Sequence, residues 1–170
     1  LRYEQKQSNY KLDTQPTHFV GNSDKASVRM QLTQNIGDFS FKTLVECNRV
    51  GEEGSAPTIG YMALQDANWR PAKLPLQLGF RYQFFDARAY GNRLYAYERD
   101  ILYAFSIPMF YGVGSRYYLN AKYDIAEFCS LWLKIARTHY TDGRKEISSG
   151  NEAIAGNKKT DVRVLLRLKW

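Results

Sequence analysis

The run TDVRVLLRLKW at residues 160–170 changes side-chain character at nearly every step. Val162, Val164, Leu166, Leu168 and Trp170 share one side of an extended backbone, and Asp161, Arg163, Leu165, Arg167 and Lys169 share the other. Successive side chains of a strand point to opposite faces, so a period of two predicts a β-strand with one apolar and one cationic face.

The same split recurs outward from this run. PLQLGFRYQFF at 75–85 sets Leu76, Leu78, Phe80, Tyr82 and Phe84 against Gln77, Arg81 and Gln83; SRYYLNAKY at 115–123 sets Tyr117, Leu119, Ala121 and Tyr123 against Arg116, Asn120 and Lys122. SVRMQLTQ at 27–34 opposes Val28, Met30 and Leu32 to Arg29 and Gln31. In DFSFKTLVECN at 38–48, Phe39, Phe41, Val45 and Cys47 face away from Lys42 and Glu46, and Leu131, Leu133 and Ile135 oppose Trp132 and Lys134. The inner face of residues 58–65 is ambiguous. RLYAYERDILYAFSI at 93–107 places Tyr95, Tyr97, Ile101, Tyr103 and Phe105 on one face with Arg99 in their midst, which implies either a break near Arg99 or a water interface.

Turn-forming residues mark connections at 51–57, 68–73, 86–92, 108–114 and 123–127, and the polar stretch 141–159 reads as a long exposed loop. The count is about nine strands of roughly 9–13 residues in one region, 1–170, when globular strands usually run about 5–6. Closed bacterial single-chain barrels have even strand numbers, so an odd count favours a part of a larger barrel. No apolar run approaches the roughly 20 residues of a membrane helix, and mean hydropathy is −0.50. That excludes helical membrane proteins and leaves strand-built ones open.

Alternation alone does not say which face is inside, since a soluble barrel turns its greasy face inward and a membrane barrel outward. Charge is indifferent: Arg29, Lys42, Arg81, Arg116, Lys122, Lys134, Arg163, Arg167 and Lys169, with Glu46, Glu98, Asp100 and Asp161, suit a wet lumen or a wet exterior. Aromatics favour the membrane, because Tyr82, Phe84, Tyr95, Tyr97, Tyr117, Tyr123, Tyr140 and Trp170 fall near strand ends, where an interfacial girdle forms. The expected fold is therefore all-β, an antiparallel up-and-down transmembrane β-barrel.

The closing strand, Val162, Val164, Leu166, Leu168 and Trp170, resembles the C-terminal assembly signal of outer-membrane barrels, with Trp where Phe is commoner. RLYAYERDILYAFSIPMFYGVGSRYYLNAKY at 93–123, with LWLKIARTHY at 131–140 and GNKKTDVRVLLRLKW at 156–170, resembles the C-terminal barrel region of large Bacteroidota outer-membrane proteins that carry an N-terminal competence-type helix-hairpin-helix domain. The resemblance implies a bacterial outer-membrane location and a chain that is the C-terminal part of a longer protein. It implies partners in the lipid bilayer, lipopolysaccharide, the barrel assembly machinery and other outer-membrane proteins; DNA contact follows by family association alone.

Catalytic and cofactor motifs are sparse. GEEGSAPTIG at 51–60 lacks the Lys-Ser/Thr of a phosphate loop, GVGSR at 112–116 lacks a third Gly, and no GxSxG elbow exists. Cys47 and Cys129 have no CxxC spacing, and His18 and His139 stand in no metal-binding pattern, so neither cofactor nor metal is expected. His139, Asp142, Ser148 and Ser149 form the one hydrolase candidate, and loop polarity explains them as well.

With 24 Lys+Arg against 17 Asp+Glu, the net charge is +7. Arg29, Arg81, Arg116, Lys122, Lys134, Arg163 and Arg167 are the expected basic lining of the lumen. Such a lining favours anions in an open pore, or it pairs with carboxylates and fills the barrel; both stay open. The expected function is non-catalytic: a pore, translocation or anchoring component for anionic or macromolecular cargo. The rivals are a soluble β-barrel that binds a small ligand and an outer-membrane hydrolase.

Overall fold

The computed structural model describes residues 1–10, 19–148 and 152–169; His18, Ser149 and Trp170 lie outside them. The alternating runs become one antiparallel sheet, each long strand paired with its neighbour in chain order: β1 (Arg2–Tyr10), β2 (Phe19–Ile36), β3 (Phe39–Glu52), β4 (Thr58–Trp69), β5 (Leu76–Ala87), β8 (Gly112–Ala126), β9 (Cys129–Tyr140) and β12 (Lys158–Leu168). Two small pairs stand apart: β6 (Leu94–Tyr95) with β7 (Met109–Phe110), and β10 (Glu146–Ile147) with β11 (Ile154–Ala155). The topology is up-and-down, as the alternation implies. The sheet is not closed, because β1 and β12 remain its edges.

At one end the connections are short: residues 37–38, 70–75 and 127–128. Gly37 occupies the left-handed region, φ +56°, at the tight turn between β2 and β3. At the other end lie 53–57, the long segment 88–111 and the connection 141–157. That last connection carries the β10–β11 hairpin, whose Ile147 is buried, and β12 begins at Lys158 within the expected loop.

Alternation translates into two unlike faces. The outward face carries Met30 (71% exposed), Val45, Tyr61, Phe80, Tyr82, Phe84, Leu119, Tyr123, Val162, Val164, Leu166 and Leu168. The inward face buries Asn48, Asp66, Arg81, Gln83, Arg116, Asn120, Lys134 and Thr138 beside Leu44, Met62, Leu64, Phe85, Tyr118 and Trp132. Residues 58–65 thus resolve with Met62 and Leu64 inside and Ile59 and Tyr61 outside.

Outward aromatics run in a slanting row. Tyr61 pairs with Asp86 rather than Phe84, and Phe84 with Ser115 rather than Tyr117, so the row Tyr61, Phe84, Tyr117 steps one outward position along at each strand. Tyr61 and Phe84 meet with ring centroids 6.0 Å apart. Near the short turns Phe39 stacks on Trp69 at 6.1 Å. A row that slips through the register in this way is level only if the strands are tilted.

One stretch departs from its sequence reading. RLYAYERDILYAFSI forms no long strand: only Leu94–Tyr95 pairs, Glu98 bridges Ser106, and the chain reverses at 101–104, where Tyr103 has φ 67° and Ala104 N donates to Ile101 O at 3.1 Å. The long strands among the described residues therefore number eight, which removes the odd number as an argument for a larger barrel. Glu98, Arg99 and Asp100 explain the break. An apolar outward face has no place for them, and residues 88–111 instead fold across the polar face of the sheet. Lys25 Nζ donates to Gly91 O at 3.0 Å near β2, and Arg163 of β12 reaches Asp100 at 2.6 Å, so this segment spans most of the sheet.

The apolar part of the interior lies where the segment meets β3–β5. Leu94, Ala96 and Phe110 pack with Leu44, Met62, Leu64, Phe85 and Ala87, and Tyr140 joins them edge-on to Phe85 at 5.8 Å. Tyr140 is thus an interior ring and not part of a girdle; Tyr95 and Tyr97 belong to the covering segment. At Gly60 a Cβ would stand 2.8 Å from Asn92 Cβ, so glycine lets the segment lie close against β4.

Candidate functional site

Beneath the covering segment the inward-facing charges form one connected network. Asp66 on β4 and Arg81 on β5 are direct cross-strand partners, and the guanidinium grips the carboxylate with both arms, Nε to Oδ1 at 2.5 Å and Nη2 to Oδ2 at 2.7 Å. Its third nitrogen donates to Tyr97 O at 2.7 Å, tying the segment to the sheet. Arg116 on β8 holds Glu98 in the same forked manner at 2.6 and 3.0 Å, and donates to Thr138 Oγ1 at 2.8 Å and Asp161 at 3.4 Å.

Lys134 on β9 continues the chain, donating to Glu98 Oε2 at 3.1 Å and Asp100 Oδ2 at 3.0 Å; Arg163 closes it on Asp100. The Tyr118 ring lies between two of the cations, 5.3 Å from the Arg81 guanidinium and 5.1 Å from Lys134 Nζ. Its hydroxyl accepts from Arg99 N at 3.4 Å.

Arg81, Arg116, Lys134 and Arg163 thus face Asp66, Glu98, Asp100 and Asp161, and the charges balance. Burying such groups costs several kcal/mol per ion unless geometry and further hydrogen bonds compensate. Here nearly every donor has an acceptor, so the network fastens residues 97–100 across β5, β8, β9 and β12. Within the network itself each cation has a carboxylate partner.

The remaining members of the expected lining lie at its margins. Arg29 on β2 pairs with Glu46 at 2.5 Å and donates to Tyr95 O at 3.2 Å, at the rim of a cavity of about 1110 Å³ between β2–β3 and residues 89–95. Lys122 pairs with Asp124 at 2.7 Å. Lys122 and Arg167 both approach the Trp132 ring, at 5.5 and 5.6 Å. All seven basic residues share the inward side; Arg81, Arg116, Lys134 and Arg163 join in the balanced network, while Arg29, Lys122 and Arg167 stand outside it.

Val162, Val164, Leu166 and Leu168 lie together on the outward side of β12, 53–62% exposed; Trp170 is outside the described residues. The hydrolase candidates are not brought together. His139 Nε2 lies 3.2 Å from Asn157 Nδ2, while Asp142 is taken up by Arg144 and the Val113 amide. No hydrogen bond joins His139, Asp142 and Ser148 among the described residues, and no cluster of three or more His, Cys, Asp or Glu is placed to hold a metal ion among them.

Sequence reasoning missed Asp66 and the inward folding of 88–111. The available signal was Glu98-Arg99-Asp100, three charges interrupting an apolar alternation. Compared with known proteins, the chain matches no family model, no curated protein and no solved structure.

Proposed function

We propose that the chain is a wall of an outer-membrane β-barrel, held in the bilayer by its outward face and filled by its own segment 88–111, and that it serves as an anchoring or gated translocation component. The observation that carries this reading is the inverted distribution of polarity. On β2–β5, β8, β9 and β12 the exposed residues are mostly apolar, and four charged residues, Asp66, Arg81, Arg116 and Lys134, are buried on the opposite face, whereas a soluble sheet buries its apolar side.

Three further features support it. Outward positions that are apolar apart from Gln34 on β2 and Gln65 on β4 run from Val28 to Ile36 on β2, Ile59 to Trp69 on β4 and Tyr117 to Ile125 on β8, close to the about 9–11 residues with which a tilted strand crosses hydrocarbon. The slanting aromatic row is what a level interfacial girdle looks like on tilted strands. Short turns at one end and long connections at the other follow the pattern of outer-membrane barrels. On this reading the open edges β1 and β12 are completed by further strands, which agrees with the resemblance to long Bacteroidota outer-membrane proteins.

The balance within the central network favours anchoring or gated passage over a standing anion channel, since charges neutralised in pairs exert little net field on a permeant ion. Extraction with and without detergent, followed by gel migration of heated and unheated samples, tests the proposal. Detergent dependence with a heat-sensitive mobility shift is the expected result. A protein soluble without detergent and unshifted by heat would overturn it.

A further inference from the structure

A smaller cavity, of about 310 Å³, lies at the short-turn end, between β5, β8 and β9 and the reversal at 101–104. Its volume is at the lower end of small-molecule sites. Arg70, Arg99 and Lys122 line it. Arg99 is held by the neutral Asn68 Oδ1 at 2.8 Å, and neither it nor Arg70 has a carboxylate partner among the described residues.

One buried donor of the lining has no acceptor: Asn120 is 7% exposed and lines the cavity, yet its Nδ2 is unpartnered. Outside the lining, Arg167, whose guanidinium lies 5.6 Å from the Trp132 ring, also has an unpartnered Nε. Buried polar groups are normally satisfied, and an unmade hydrogen bond is costly, so unpaired donors mark a place where an acceptor belongs. The acids nearby do not fill that role. Asp100 accepts from Lys134, Arg163 and the Ile101 amide, and Asp124 from Lys122 and Ser130. Gly79 keeps the space open, since a Cβ there would come within 3.0 Å of the Asn68 oxygen that holds Arg99.

We propose that this cavity is a binding site for a phosphate group carried by a small molecule. Donors converge from a turn, a strand and the covering segment, and a tetrahedral oxyanion accepts from several directions where a planar carboxylate offers two oxygens in one plane. Aromatic rings of Trp132, Tyr97 and Tyr103 line the space left for the rest of the ligand. The inference does not rest on the bilayer reading, because the cavity is on the inward face.

The test is a titration of Trp132 fluorescence in the folded full chain with glycerol 3-phosphate, at constant ionic strength with chloride as the reference. A saturable change with glycerol 3-phosphate and none with chloride is expected, lost in Trp132→Phe. Asn120→Leu, which removes an unpartnered donor, and Arg70→Gln, at an exposed turn, are each expected to weaken binding by about tenfold or more with the unfolding midpoint unchanged. A second arm, phosphatidylglycerol micelles without added phosphate, separates the sources: an Asn120-dependent change there alone assigns the phosphate to a lipid headgroup. No saturable change in either arm, or wild-type affinity in both variants, would overturn the proposal.

Discussion

Lys134 Nζ lies 3.1 Å from Glu98 Oε2 with neither side chain more than 3% exposed, although one stands on β9 and the other on the segment that joins β5 to β8. That contact ties a long connection to the middle of the sheet, and Glu98 also receives both arms of Arg116. Its replacement is therefore a direct probe of what holds the interior together.

Glu98→Gln removes the charge that compensates two buried cations. Breaking a buried pair from one side costs about 3–5 kcal/mol, and a loss of that size in denaturant unfolding is expected. Adding Lys134→Met should recover part of it, because the stranded ammonium is then gone too. A loss below about 1 kcal/mol would mean that the network behaves as a solvated surface pair.

Leu119 on β8 points outward and is 43% exposed. In water, Leu119→Arg at such a position is expected to change stability by less than about 0.5 kcal/mol. Facing lipid near the bilayer midplane, the same change costs about 2–4 kcal/mol. Unfolding measured in lipid vesicles is expected to show the larger cost.

The connection after β9 is latched by Asp142 and Arg144. The Arg144 guanidinium hydrogen-bonds the carboxylate and donates to Tyr111 O at 3.2 Å, and Val113 N donates to Asp142 Oδ2 at 3.3 Å. The guanidinium holds the Asp142 carboxyl down at about 2 from its ordinary 3.8. A carboxyl lowered by folding adds stability that is fully present above the ordinary value and is lost as pH falls through about 2. A carbon-detected titration of Asp142 is expected to show a midpoint near 2 that rises toward 3.8 in Arg144→Gln. A wild-type midpoint already near 3.8 would show the latch to be open.

Much of this fold is legible in local alternation, because a period of two assigns each side chain to a face regardless of the partner strand. Val162, Leu119 and Phe80 fall outward and Arg81, Arg116 and Lys134 inward as their parity requires. Parity says nothing of distance along the chain. Asp66 meets Arg81 because the β4–β5 register sets them opposite, and Glu98 reaches Lys134 because a connection folds back through space. The alternation around Tyr95 and Tyr97 imitates a strand, and the charges of Glu98, Arg99 and Asp100, whose partners are remote in sequence, decide against it.

The most direct measurement uses a cysteine already in place. Cys47 is exposed on the outward face of β3, flanked by Val45 along the strand and paired with Val28 and Tyr61 on either side. In Cys129→Ala protein folded in lipid vesicles, a charged water-soluble maleimide is expected to leave Cys47 unmodified until the protein is unfolded, because lipid covers a thiol that the protein leaves bare. Modification of the folded protein at the rate of a free aqueous thiol would place that face in water and contradict the bilayer reading.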